Sequence, residues 1–216
     1  MYELKPKSKK EAIIQGDKWR FTILTDALIR IEYSEDGTFE DRATQVVIDR
    51  DFDVPEYTIN EDREDYIKIT TKKVEITYNK QPFSMYSFRI KKLDDGGFYY
   101  YDDILYGALP GTTKTLDVIE DDIELDGSIM GNWFNVLDDS KSAILLDDGM
   151  VEARNRGNAV DRYIFGYGAD KIGALRDFYK LTGNTPLIPR YALGNWWSRY
   201  HQYTQDEYMG VVDNFR

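Results

Sequence analysis

The 216 residues carry 39 acidic against 28 basic side chains, a net charge of −11, and no cysteine. That charge repels nucleic-acid phosphates and anionic lipid headgroups, and the missing thiols exclude disulfides, thiolate metal sites and cysteine nucleophiles. With 42% hydrophobic and 14% aromatic residues the chain can fold around a sizeable core, as one large all-β domain or two small ones.

Residues 1–10 are charged and contain no apolar signal-type stretch, and no apolar run reaches bilayer length. The expectation is a soluble protein of the reducing cytoplasm, with neither nucleic acid nor membrane as partner. Oligomeric state is left open, a homo-oligomer included.

Residues 12–33 alternate as half-buried strands do. Trp19, Phe21 and Ile23 share one face, and Leu28, Ile29, Ile31 and Tyr33 follow after a turn at Thr25 and Asp26, which predicts a hairpin. Ser34, Glu35, Asp36 and Gly37 form a turn, and residues 43–48 read as a strand closed by Asp49, Arg50 and Asp51. Further strands are expected at 66–70, 74–78, 83–90 and 98–101. Turn chemistry between strands spaced by roughly ten residues is the pattern of an antiparallel sandwich.

Residues 105–131 loosen into Gly, Thr, Asp and Pro, which predicts a long connection within one domain. Short strands are expected at 134–137, 143–146, 150–153 and 162–167. After Gly168 the periodicity changes. Asp170 caps a predicted helix with Ile172, Leu175, Phe178 and Leu181 as its apolar stripe, stopped by Gly183 and Pro186. Residues 191–197 form an apolar run short enough for a strand buried on both faces. Thr204 and Glu207 have capping-box spacing and open a helix whose Tyr208, Val211, Val212 and Phe215 share a face. A strand leading into an amphipathic helix is one βα unit, which cannot bury both faces alone. The expected organisation is therefore a β-sandwich domain over 1–185, with a helix at about 170–182, and then 186–216 as the first step of an incomplete (β/α)8 barrel.

The motifs exclude several chemistries. There is one histidine, His201, and no Gly-x-Ser-x-Gly, which leaves no Ser-His-Asp arrangement. A metal site of His and carboxylates fails for the same shortage of imidazole. Phosphate-binding loops and EF-hand spacing are absent, so no cofactor or metal is expected. Carboxylate pairs serve glycoside hydrolysis, and Asp102 with Asp103, Asp138 with Asp139, and Asp147 with Asp148 are such pairs. Neighbouring strand residues point to opposite faces, so these read as turns. Residues 193–203, Leu-Gly-Asn-Trp-Trp-Ser-Arg-Tyr-His-Gln-Tyr, crowd aromatics and Arg199 where a barrel strand would give way to its loop, the end at which barrel enzymes keep their sites. Rings there can stack on a pyranose, although Trp196 and Trp197 themselves read as core.

The stretch 186–200, Pro-Leu-Ile-Pro-Arg-Tyr-Ala-Leu-Gly-Asn-Trp-Trp-Ser-Arg-Tyr, followed by Tyr203 and Thr204, resembles the opening of the catalytic barrel in glycoside hydrolase family 31. Upstream, residues 20–34, 39–45, 111–117, 137–142 and 165–168 resemble the N-terminal sandwich of that family's bacterial α-glucosidases, in the same order. The resemblance implies a galactose-mutarotase-like antiparallel β-sandwich before a (β/α)8 barrel, and retaining hydrolysis of terminal α-linked glucose from oligosaccharides. It also implies two catalytic aspartates on later barrel strands, whose motifs do not occur in these residues. The expected partners are an α-linked oligosaccharide or glucoside and the rest of the chain's own barrel. In the family a sandwich loop brings an Asp to the sugar; Asn132 stands at that position here, keeping a hydrogen-bonding side chain and dropping the charge. Tyr200 and Tyr203 are alternatives for the aromatic after the first barrel strand. The rival reading is a stand-alone carbohydrate-binding sandwich without catalysis. A hexose mutarotase of similar fold is disfavoured, because that chemistry wants His and Glu and the one histidine lies in the barrel segment.

Overall fold

The computed structural model describes residues 3–101, 134–155, 157–185, 187–196 and 198–215. The chain divides into two compact units, Met1–Asn184 and Thr185–Arg216.

Among the described residues, the first unit is built on two antiparallel five-stranded sheets. One comprises β1 (Ile13–Gln15), β2 (Trp19–Ile23), β3 (Leu28–Tyr33), β9 (Asn135–Asp138) and β12 (Val160–Phe165), in the order β1-β2-β3-β12-β9. The other runs in sequence order through β4 (Thr58–Arg63), β5 (Tyr66–Thr70), β6 (Val74–Tyr78), β7 (Phe88–Lys92) and β8 (Phe98–Tyr100). A two-stranded hairpin, β10 (Ile144–Leu145) with β11 (Val151–Glu152), stands apart. The mainly β, sandwich-type fold expected from the sequence is present.

Period-two alternation places the core. Trp19, Phe21, Ile23, Ile29, Ile31 and Ile164 of the first sheet share one buried cluster with Ile67, Ile69, Ile76, Tyr78, Phe88 and Ile90 of the second. Rings dominate one end, where Phe21 and Tyr78 meet edge to face at 5.3 Å between centroids, a favoured geometry for aromatic quadrupoles. The Tyr78 hydroxyl is satisfied by donating to the Gln81 carbonyl at 2.6 Å.

The first sheet is covered on its other face too. Helix α1 (Lys171–Thr182) lays Ala174 and Leu181 on a second cluster that includes Leu24, Leu28, Val47, Tyr163 and Phe165. Asp170 caps it as expected, Oδ1 accepting from the Gly173 amide at 3.0 Å. The predicted stripe is rotated, however: Ala174, Asp177 and Leu181 are buried while Ile172 is 73% exposed. Asp177 lies on the inner face because its carboxylate accepts a short hydrogen bond from the Tyr167 hydroxyl.

Two expected strands are absent. Residues 43–48 make only one isolated bridge, Thr44 to Ile144, because the Thr44 hydroxyl accepts from the Val46 and Val47 amides and folds the backbone back on itself. Of the run expected as a strand at 191–197, the described residues 191–196 form no strand either. Arg190–Leu193 form a 3₁₀ turn between Pro189 and Gly194, and the unit of Thr185–Arg216 has no described strand with which a β segment could pair. The last helix, α2 (Gln205–Asn214), does carry the expected capping box: Thr204 accepts from the Glu207 amide, and the Glu207 carboxylate accepts from the Thr204 amide at 2.8 Å.

Candidate functional site

Of the three residues assigned to sugar binding, Asn132 lies outside the described residues. Tyr200 and Tyr203 lie in the unit of Thr185–Arg216 and differ sharply. Tyr200 is fully exposed. Tyr203 is half-buried, its ring edge-on to His201 at 4.6 Å and to Tyr208 at 5.9 Å. Its hydroxyl is shielded from solvent yet has no hydrogen-bond partner. An enclosed hydroxyl without a partner is unfavourable by an amount comparable to a lost hydrogen bond. Tyr203 thus differs from Tyr200 in having an enclosed hydroxyl and a ring packed against His201 and Tyr208. Trp196, read as core, is 72% exposed with its indole N–H on the Ala192 carbonyl at 3.0 Å.

The two described carboxylate pairs behave as structure. Asp147 and Asp148 form a turn with Gly149 at φ 83°, and Asp148 Oδ1 accepts from the Met150 amide. Asp138 caps the Ser140 amide and pairs with Arg162 at 2.8 Å. Burial alone would raise the Asp138 carboxyl, but hydrogen bonds from Ser140 and Arg162 hold it below the ordinary range. Asp139 is more than a turn residue: it is fully buried and accepts from the Thr44 hydroxyl at 2.9 Å. Burial and the neighbouring charge of Asp161 push its carboxyl up. Asp102 and Asp103 lie outside the described residues.

Asp139 ends a layer of charge that sequence reasoning missed. On the α1 side of the first sheet, Arg20 Nε donates to Glu32 at 2.5 Å, and Arg30 binds Asp161 through two bonds of 2.8 and 2.7 Å. Arg154 reaches the same Asp161 oxygen at 2.7 Å, and Arg50 donates to the Tyr163 hydroxyl at 2.6 Å. Burial would raise the Asp161 carboxyl; the guanidinium of Arg30, with Arg50 and Arg154 beyond it, holds it well below the usual carboxylate range. Alternating signs with bidentate geometry make such a layer tolerable in the interior. No described group of three or more His, Asp or Glu side chains is placed to hold a metal ion.

Polar hollows are present on the first unit. One of about 570 Å³ is lined by Asp138, Ser140, Asn158 and Arg162, and one of about 340 Å³ by Tyr66, Tyr86, Arg89 and Tyr100. Strand alternation, which puts Tyr66, Arg89 and Tyr100 on the outer face, was the signal that could have found the second.

No protein-family model matches the chain. It is 29% identical over 114 residues to an α-xylosidase of Saccharolobus solfataricus, covering 49% of this chain and 15% of the relative. It is 25% identical over 181 residues to an α-glucosidase of the same organism, covering 82% of this chain and 22% of the relative. Among solved structures, a Flavobacterium johnsoniae GH31 dextranase is similar with a TM-score of 0.47 in complex with isomaltotriose and 0.46 in complex with glucose, at 13% identity. Those matches cover 83% and 89% of this chain, and 27% and 30% of the dextranase. The chain thus spans about a fifth of the length of the curated relatives it matches. The resemblance read from residues 20–45 and 186–203 and the similarity to an α-xylosidase and an α-glucosidase agree: this chain is related to glycoside hydrolase family 31.

Proposed function

We propose that the chain is the N-terminal β-sandwich of a retaining α-glucosidase that releases terminal α-linked glucose from oligosaccharides, and that residues 186–216 open its (β/α)8 barrel. The similarity to an α-glucosidase over 82% of the chain carries this reading. The sandwich supplies a loop with Asn132 to the sugar site and the opening of the barrel supplies Tyr203, while both catalytic aspartates come from later barrel strands, about 5 Å apart as retention requires. In that setting residues 191–197 gain strand geometry from parallel neighbours on either side. The lack of cysteine suits a reducing compartment, and we place the protein in the cytoplasm. The test is an assay with an aryl α-glucoside. The 216-residue chain alone should not cleave it, and a polypeptide joining this chain to its barrel should. Hydrolysis by the chain alone, or by neither, overturns the proposal.

A further inference from the structure

The outer face of the second sheet carries a second polar and aromatic arrangement, remote in sequence from Asn132 and Tyr203. In β5 to β8 the residues Ile67, Ile76, Tyr78, Phe88, Ile90 and Tyr99 enter the core, so their alternates face outward. Register then fixes the pattern. Thr77 pairs with Arg89 and Arg89 with Tyr100, which makes one row across three strands. Ile67 pairs with Tyr78, so Tyr66 falls beside Asn79 in the next row. Tyr86, 87% exposed in the turn before β7, lines the same hollow of about 340 Å³.

The chemistry of this hollow is specific. No Asp, Glu or Lys lines it. The guanidinium of Arg89 lies 5.8 Å over the Phe98 ring. Among the described residues, none of the Tyr66, Tyr86 and Thr77 hydroxyls or the Arg89 guanidinium has a hydrogen-bond or ion-pair partner. Flat rings on rigid strands offer apolar surface at little entropic cost, and the donors at their rim await acceptors. A cationic ligand would lack a carboxylate here, and an anionic one would meet a protein of net charge −11. A neutral ring with an apolar C–H face and a rim of hydroxyls satisfies both the rings and the donors.

We propose that this face is a non-catalytic binding site for a neutral α-linked gluco-oligosaccharide, with Tyr66, Tyr86 and Tyr100 as stacking surfaces and Arg89, Thr77 and Asn79 as hydrogen-bonding groups. The α-gluco identity of the ligand rests on the function proposed above; the site itself rests on the geometry. Without a carboxylate pair it holds a glucan and does not cleave it.

Calorimetric titration of the chain with maltotetraose tests this. Saturable binding is expected with a dissociation constant on the order of 1 mM. Tyr86→Ala and Arg89→Ala should each weaken it by about tenfold, while Ile172→Ala, at an exposed position of α1, leaves it unchanged. Both altered residues are exposed, and unchanged circular dichroism verifies that the fold is intact. Absence of saturable binding, or equal binding by the Tyr86→Ala and Arg89→Ala chains, overturns the proposal. Binding that depends on Tyr86 in a polypeptide that hydrolyses no α-glucoside would support this site and refute the enzymatic reading.

Discussion

Arg30 and Asp161 lock together across the β3–β12 pair, Nε to Oδ1 at 2.8 Å and Nη2 to Oδ2 at 2.7 Å, with both side chains sealed from solvent. Removing one partner strands the other as a buried, uncompensated charge, which costs about 3–5 kcal/mol. Arg30→Met or Asp161→Leu alone should therefore destabilise the sandwich on that scale in urea unfolding. The double substitution should recover only part of the loss, because Arg154 also binds Asp161 and Glu32 also pairs with Arg30, and each would be left short of a partner in the interior.

Acid sensitivity follows from the same carboxylate. Asp161 has its folded pKa depressed, so its contribution is fully present above the unfolded value of about 3.9 and is lost as pH falls through the folded value. Asp138, also depressed, acts in the same direction; Asp139, raised by burial, opposes them. Unfolding free energy followed below about pH 4 should fall with acidity, and Asp161→Asn should flatten that fall while lowering stability at neutral pH.

Gly166, directly after β12, packs against Phe134 and against Val74 of β6. A Cβ there would sit 2.8 Å from Phe134 Cε1 and 3.0 Å from Val74 Cγ1, inside van der Waals contact. Gly166→Ala should cost about 1–3 kcal/mol through overpacking, read as a lower urea midpoint at unchanged slope.

The enclosed hydroxyl of Tyr203 gives the sugar-site assignment its kinetic consequence. In a polypeptide carrying the barrel, Tyr203→Ala and Asn132→Ala should each lower kcat/KM by about 1–3 kcal/mol, the scale of a lost polar or stacking contact. Tyr200→Ala should be near wild type; the reverse pattern would assign Tyr200 to the sugar.

The sequence made the β2–β3 hairpin and the strands of residues 66–78 legible because period-two hydrophobicity is what a half-buried strand needs. It concealed what covers the first sheet. Arg20, Arg30 and Glu32 alternate with apolar neighbours and so look like a solvated face, yet all three are buried under the segment of residues 39–52 and its charge partners. β4, reading Thr-Ile-Asn-Glu-Asp-Arg, escaped detection because an exposed edge strand need not be apolar. Residues 191–197 misled in the opposite sense: an apolar run satisfies the strand pattern, but pairing partners decide whether a strand forms. Of the site, Tyr200 and Tyr203 had both a sequence signal and a described environment, whereas Asn132 lies outside the described residues.

The most direct measurement of the central claim follows the anomer of glucose released from an aryl α-glucoside by NMR, using a polypeptide that carries this chain and its barrel. Two aspartates at a separation of about 5 Å act by double displacement, so the account predicts α-glucose as the first product, before mutarotation. First release of β-glucose, or no hydrolysis of α-linked substrates at all, would contradict it.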